Sequence, residues 1–271
     1  MNFKLDTKAI LLDFDGTLID FNYNASEYTY KALDALRDSN YAVCLSSGRP
    51  VFLAKKAFEE KFGDYPLAYI FGCNGSEMMD VKNDKTEIIY PLLAEDVRYL
   101  GKTLDIDFLM LGIYEGNKFL VNHYRNTIDT NSWVNARWLE PVEYDIANDD
   151  KNRSKVIIIS DKEDRDREDI FLRSKDLSKY SWSYSSPYCC EIVPKGVSKS
   201  VSVKKLCEIF NCNPEQIISF GDMENDLPML VNSSGVAMGN AVDAVKSQTK
   251  YITDDVDKMG MYKFLHDNGL I

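Results

Sequence analysis

Histidine is nearly missing from this chain: among 271 residues there are only His123 and His266. A catalytic triad or a metal centre built on imidazole is therefore not expected, and any metal would have oxygen ligands, which favours Mg²⁺. Zinc-type cysteine spacing is also missing, because Cys44, Cys73, Cys189, Cys190, Cys207 and Cys212 form no C-x-x-C pair. Cys44 and Cys73 sit inside apolar runs and read as buried thiols. No apolar run is long enough to span a bilayer. No long apolar segment follows Met1–Asp6, so no signal peptide and a cytoplasmic location are expected. Excess positive charge is missing too: 32 Lys and Arg stand against 43 Asp and Glu, a net charge of −11. That balance argues against nucleic acid or an anionic membrane as the main partner. It leaves an anionic small molecule open, since a local pocket of lysine, arginine, backbone N–H groups and metal outweighs a distant global field.

What is present is an ordinary soluble composition, 45% hydrophobic and 28% charged, in a chain long enough for one large domain or two moderate ones. The first third alternates between strand and helix patterns. Ala9–Leu12 is a short buried-strand run, residues 24–39 carry a helical stripe, and Tyr41–Leu45 is a second strand. Val51–Phe62 is a second helix, with Pro50 favoured near its first turn, and Leu67–Phe71 a third strand. This alternation predicts a doubly wound parallel sheet. Beyond Gly75 hairpin signals take over, around Lys82–Lys85 and Glu115–Asn117. Helical stretches near 94–104 and 164–177 and strands at Val156–Ser160 and Trp182–Ser185 complete the segment. The mixed-charge run Asp161–Asp169 reads as a solvated helix face. The parallel texture resumes from Cys189, with a strand at Cys190–Val193, a helix from Lys199 to about Phe210 capped by Ser198, and a strand at Ile217–Phe220. The expected fold is α/β, a Rossmann-like doubly wound core over 1–82 and 188–271 with an inserted α+β domain over 83–187.

The chemistry centres on Asp13-Phe14-Asp15-Gly16-Thr17-Leu18. Two carboxylates stand one residue apart at the end of the first strand, where open α/β sheets place their ligands. Gly16 allows a sharp turn there. On spacing alone, acids at a strand end can equally be turn-formers. Three further stretches follow in order: Ser47-Gly48-Arg49, the lysines of Pro194–Lys199, and Gly221-Asp222-Met223-Glu224-Asn225-Asp226. Together these resemble the four motifs of the haloacid dehalogenase superfamily, most closely its Cof-type phosphatases, which carry a large cap between the second and third motifs. The resemblance covers most of the chain.

It implies a Mg²⁺-dependent phosphatase in which the cap closes over the core, excludes water and selects the substrate. Asp13 would be the nucleophile, forming an acyl-phosphate, and Asp15 the general acid and later base. Beside a divalent cation Asp13 stays ionised, while Asp15, less tied to it through its side chain, can hold a proton. Phosphate and substrate contacts are implied at Phe14, Ser47, Gly48, Lys199 and Asn225. Metal ligation is implied at Asp13, at Asp15 through its backbone carbonyl, and at Asp222. Asp226 is either a ligand through water or an orienting group behind the ligands. If 222–226 is helical, Asp222 and Asp226 point the same way. Lys199 follows the family pattern; Lys195 reads as a surface lysine. Thr17 reads as a loop-fixing hydroxyl, and Arg49 could reach substrate or pair with an acid.

Asn74-Gly75 resembles a family loop and is otherwise a plain turn. His123 reads as structural, and Tyr124, Trp133, Trp138, Trp182 and Tyr184 as cap core. The stretch Asp255–Gly260, followed by Met261, departs from the family's usual run, so the rim of the site is expected to differ. Small phosphorylated metabolites are the expected substrates: sugar phosphates, or cofactors such as pyridoxal phosphate or flavin mononucleotide. The partner is then a small phosphomonoester, with no nucleic acid and no membrane, and a monomer or weak dimer. The rival readings are a phosphomutase on the same scaffold and a non-catalytic phospho-ligand sensor.

Overall fold

The computed structural model describes residues 6–123, 139–186 and 188–271. Tyr124, Trp133 and Trp138 lie outside the described residues. The strands, in chain order, are β1 (Ala9–Leu12), β2 (Ala42–Ser46), β3 (Tyr69–Gly72), β4 (Glu77–Asp80), β5 (Lys85–Ile88), β6 (Met110–Glu115) and β7 (Lys118–Val121). They continue with β8 (Pro141–Glu143), β9 (Val156–Ile159), β10 (Tyr180–Ser186), β11 (Cys189–Pro194), β12 (Ile217–Gly221), β13 (Ser234–Ala237) and β14 (Tyr251–Ile252). The helices are α1 (Glu27–Arg37), α2 (Val51–Phe62), α3 (Ala94–Thr103), α4 (Arg165–Arg173), α5 (Ser200–Phe210), α6 (Leu227–Val231), α7 (Asp243–Lys246) and α8 (Gly260–Asp267). Contacts divide the chain into two compact units, residues 1–87 with 198–271, and residues 88–197.

The first unit is built on an eight-stranded sheet, in the order β14-β13-β12-β1-β2-β3-β4-β5. Its strands are parallel from β14 to β3, the doubly wound arrangement the alternating pattern predicts. β1 lies at the centre with every residue fully buried, which is why it reads as an unbroken apolar run. Ala9 and Leu11 pack with Val203 and Leu206 of α5. The registers Leu12↔Leu45 and Leu12↔Phe220 end three neighbouring strands at one level. Asp13, Ser47 and Asp222 therefore leave the same end of the sheet. β4 turns back antiparallel on β3, so the hairpin expected after Gly75 extends this sheet at its edge. It also brings Glu77 to α2, where its carboxylate accepts the Val51 N–H at 2.8 Å. Pro50 directly precedes that helix.

The second unit holds a six-stranded sheet, in the order β10-β11-β9-β6-β7-β8. Its pairs are antiparallel except β7 with β8. Helices α3 and α4 pack on one face through Val97, Leu100 and Leu172 against Leu111, Ile113, Val156 and Ile158, with Trp182 and Tyr184 partly buried at the edge of that cluster. The run Cys190–Val193, expected to return the chain to the first sheet, belongs here instead. β11 pairs with β9 and β10, so this unit runs over 88–197 and not 83–187. His123 is exposed and pairs with Asp105, 2.9 Å from Nε2 to Oδ1. Ser198 does not cap α5; its hydroxyl hydrogen bonds to Ser200, at 2.8 Å. Among the described residues no helix is long and apolar enough to cross a membrane.

The Glu77 carboxylate satisfies an N–H that the helix itself leaves without a partner. Glu77→Ala is expected to lower the stability of the protein by about 1 kcal/mol, the usual size of a lost cap. Urea unfolding followed by circular dichroism measures it.

Candidate active site

The loop leaving β1 turns back at Gly16, whose φ of +84° is in the left-handed region. A Cβ there would lie 2.1 Å from Asp222 Oδ2, so only glycine lets this loop meet the loop after β12. Phe14 points inward: its side chain is fully buried against the rings of Tyr23, Phe58 and Phe62. Any contact from Phe14 to a ligand is thereby left to its backbone. Asp13 on one side is nearly buried, whereas the Asp15 side chain is 45% exposed.

Lys199 stands at the start of α5 and is 1% exposed. Its ammonium donates to Asp13 Oδ1 and to Asp226 Oδ1, each at 2.5 Å. Lys195, by contrast, is exposed. The other oxygen of Asp226 accepts the N–H groups of Asp222 and Met223 at 2.9 and 3.0 Å. Residues 222–226 therefore form a turn closed by a carboxylate, not the helical segment that would align Asp222 with Asp226; α6 starts only at Leu227. In this turn Asp226 is held by one ammonium and two amides. Glu224 and Asn225 are exposed on the same turn.

One carboxylate oxygen from each of Asp13, Asp222 and Asp226 lies within 4.8 Å of the others, and all three residues are buried. Three carboxylates thus face a single ammonium. Burial, and then Asp226, push Asp13 up to about 7 against the opposing pull of Lys199. Burial, and then Asp13 and Asp226, push Asp222 up to about 8. Burial alone would lower Lys199, yet Asp13 and Asp226 hold it above its ordinary value. The two side-chain donors nearest Asp222, Thr17 Oγ1 and Asn240 Nδ2, are both 3.5 Å away. A buried set of oxygen donors, crowded with negative charge and weakly satisfied, fits a hard divalent cation.

Asp15 lies outside that group and resolves the choice left open for Arg49. The guanidinium grips the Asp15 carboxylate bidentately, Nε to Oδ2 at 3.0 Å and Nη2 to Oδ1 at 2.7 Å. It lies over the rings of Phe14 and Tyr23, 5.5 and 6.0 Å from their centroids. Ser47 is buried, and its hydroxyl accepts the Arg49 N–H at 3.2 Å. Its neighbour Ser46 faces α5 and bonds Ser202 at 2.9 Å. Asn74 and Gly75 come to the same place. Asn74 takes a left-handed conformation, φ +54°, and its N–H donates to Ser47 O at 3.1 Å. Its Oδ1 lies 3.5 Å from Asn225 Nδ2 and 3.5 Å from where a Cβ on Gly48 would be. Gly75 sits so close to the start of α5 that a Cβ would meet Ser198 O at 2.9 Å. The sequence reading missed Asn240, whose amide donates to Gly16 O at 2.8 Å. The available signal was its place, in Met238-Gly239-Asn240 directly after β13.

A profile described as haloacid dehalogenase-like hydrolase matches residues 10–265. A 5-amino-6-(5-phospho-D-ribitylamino)uracil phosphatase of Bacillus subtilis is 25% identical over 271 residues, 97% of this chain and 98% of the relative. A second Bacillus subtilis phosphatase of the same description is 26% identical over 268 residues, 96% of this chain and 94% of the relative. The crystal structure of a haloacid dehalogenase-like hydrolase from Bacteroides thetaiotaomicron superposes with a TM-score of 0.79 at 26% identity, covering 96% of this chain and 99% of that one.

The raised carboxylates set the sign of a pH dependence. Folded values of about 7 and 8 lie above the ordinary aspartate value of 3.8. The cation-free protein therefore carries no penalty from these groups below about pH 4 and the full penalty above about pH 8. Its melting temperature is expected to fall over that interval. Mg²⁺ is expected to restore stability mainly at the alkaline end and to bind with release of protons. Thermal melts with and without Mg²⁺ from pH 5 to 9 check this; a cation effect independent of pH would count against it.

Proposed function

Because the chain belongs to the haloacid dehalogenase-like hydrolases and is a phosphoric monoester hydrolase, we propose that it uses Mg²⁺ and an aspartyl-phosphate on Asp13 to hydrolyse small phosphorylated metabolites. The observation that carries this reading is the buried Lys199 ammonium joining Asp13 to Asp226. It fixes one carboxylate at a strand end, beside a cluster suited to a cation.

In the first step an Asp13 oxygen attacks phosphorus and the bond to the leaving oxygen breaks. Asp15 gives that oxygen its proton. In the second step Asp15 takes a proton from water, whose oxygen attacks phosphorus, and the bond to Asp13 breaks to free phosphate. Lys199 and the N–H groups near Phe14 and Gly48 balance charge on the phosphoryl oxygens, with Ser47 and Asn225 as further polar contacts. Arg49 grips the Asp15 carboxylate in the resting site and would have to release it for Asp15 to carry a proton. Asp13, Asp222 and the Asp15 carbonyl would hold the cation, with Asp226 fixing the turn that carries Asp222. When bound, the cation supplies positive charge to the phosphoryl group and to Asp13. The substrate class follows the relatives: a phosphorylated polyol or sugar, alone or bearing a heterocycle.

Phosphate release is the test, on sugar phosphates, pyridoxal phosphate, flavin mononucleotide and 5-amino-6-(5-phospho-D-ribitylamino)uracil. Release is expected with Mg²⁺, not with EDTA, and Asp13→Asn should lower kcat by at least about 1000-fold. Folded protein that releases no phosphate from any of them would contradict the reading.

A further inference from the structure

Asn240 sits where three loops meet. Its Nδ2 donates to the carbonyl of Gly16 at 2.8 Å and lies 3.5 Å from Asp222 Oδ2. Its Oδ1 accepts the Val256 N–H at 2.9 Å. The loop after β13 is itself pressed onto residues 254–256. Gly239 N donates to Asp254 O at 2.9 Å, and a Cβ on Gly239 would lie 2.3 Å from Asp255 Oδ1 and 2.5 Å from its nitrogen. The Asp222 carbonyl accepts the Val242 N–H at 3.0 Å, two residues beyond Asn240. The same short segment thus holds the backbone of Asp222, the backbone of the turn that follows Asp15, and the C-terminal stretch 254–256.

We infer that Asn240 is a positioning residue for the cation site, holding the Asp222 carboxylate and the Asp15–Gly16 turn at a fixed separation. The inference rests on the phosphatase reading above, since it assigns Asn240 to the cation that reading requires. The Asp222 carboxylate, buried against Gly16, has two long side-chain donors, Thr17 Oγ1 on one oxygen and Asn240 Nδ2 on the other, each at 3.5 Å, so its orientation depends on these neighbours. A neutral amide orients it without competing for the cation: it gives one N–H to each side and is itself locked by Val256. The Gly16 carbonyl, engaged by the amide, fixes the peptide plane next to Asp15, whose own carbonyl the reading uses as a ligand. Partners lying behind metal ligands commonly set affinity by ten- to hundredfold.

The test is calorimetric titration of the cation-free full chain with Mg²⁺ and with Mn²⁺, a readout that needs no turnover. Asn240→Ala removes every contact. Asn240→Asp keeps the acceptor for the Val256 N–H but loses the donor to Gly16 O and Asp222, so only the Val256 half of the strap survives in it. Both variants are expected to bind either cation about tenfold more weakly. Substrate KM at saturating cation should stay within about twofold, because Asn240 acts through the cation and not through substrate contact. If Asn240→Ala fails to fold, Asn240→Asp carries the test alone. Wild-type affinity or tighter binding in Asn240→Asp, beside an active wild type, overturns this inference and leaves the phosphatase reading standing. A wild type that binds neither cation removes both.

Discussion

The first unit depends on one buried ammonium. Lys199 is almost fully removed from water and touches two carboxylates, neither of which is exposed. Charges so placed are costly to bury and cannot be left without partners. The surrounding structure can be read as the means of keeping them paired. Parallel strands deliver Asp13 and Asp222 at one level, the start of α5 delivers the lysine, and the 222–226 turn folds around the second oxygen of Asp226. The glycines at 16 and 75 are places where loops approach closely, and a side chain at either would collide with the pieces they bring together.

One lysine does not balance three acids. The remaining negative charge gives the site its chemical character: Asp13 and Asp222 are held in want of positive charge, which a divalent cation would supply. Asp15 is kept out of the imbalance. Its carboxylate faces Arg49 and water, while the backbone beside it turns inward toward Asp222. Two acids separated by one residue thus occupy different electrostatic surroundings.

Much of this was legible in the chain. Apolar runs that stop at Asp13, at Ser46-Ser47 and at Gly221-Asp222 mark three buried strands and their functional ends, because a fully buried parallel strand has no polar face to interrupt it. The choice of Lys199 over Lys195 followed the family pattern, which sets its lysine at a helix start. What escaped the sequence was decided by distant pairing. Cys190–Val193 is as apolar as a strand of the first sheet, and nothing local says that it pairs with Val156–Ile159 instead. Arg49 had two plausible partners until the fold set it on the rings of Phe14 and Tyr23. Asp222 and Asp226 have helical spacing, yet a carboxylate able to accept two backbone N–H groups closes a turn there instead. Asn240 reads as a turn residue in any local window, because its partners are 224 and 16 residues away along the chain.

The central claim is that Asp13 becomes covalently phosphorylated. Borohydride added during steady-state turnover reduces an acyl-phosphate to an alcohol, converting the aspartate that carried it to homoserine, which peptide mass mapping locates. The account predicts homoserine at position 13, dependent on substrate and on Mg²⁺, and none at 15, 222 or 226. Turnover with no modification at position 13, or with modification at another carboxylate, would contradict it.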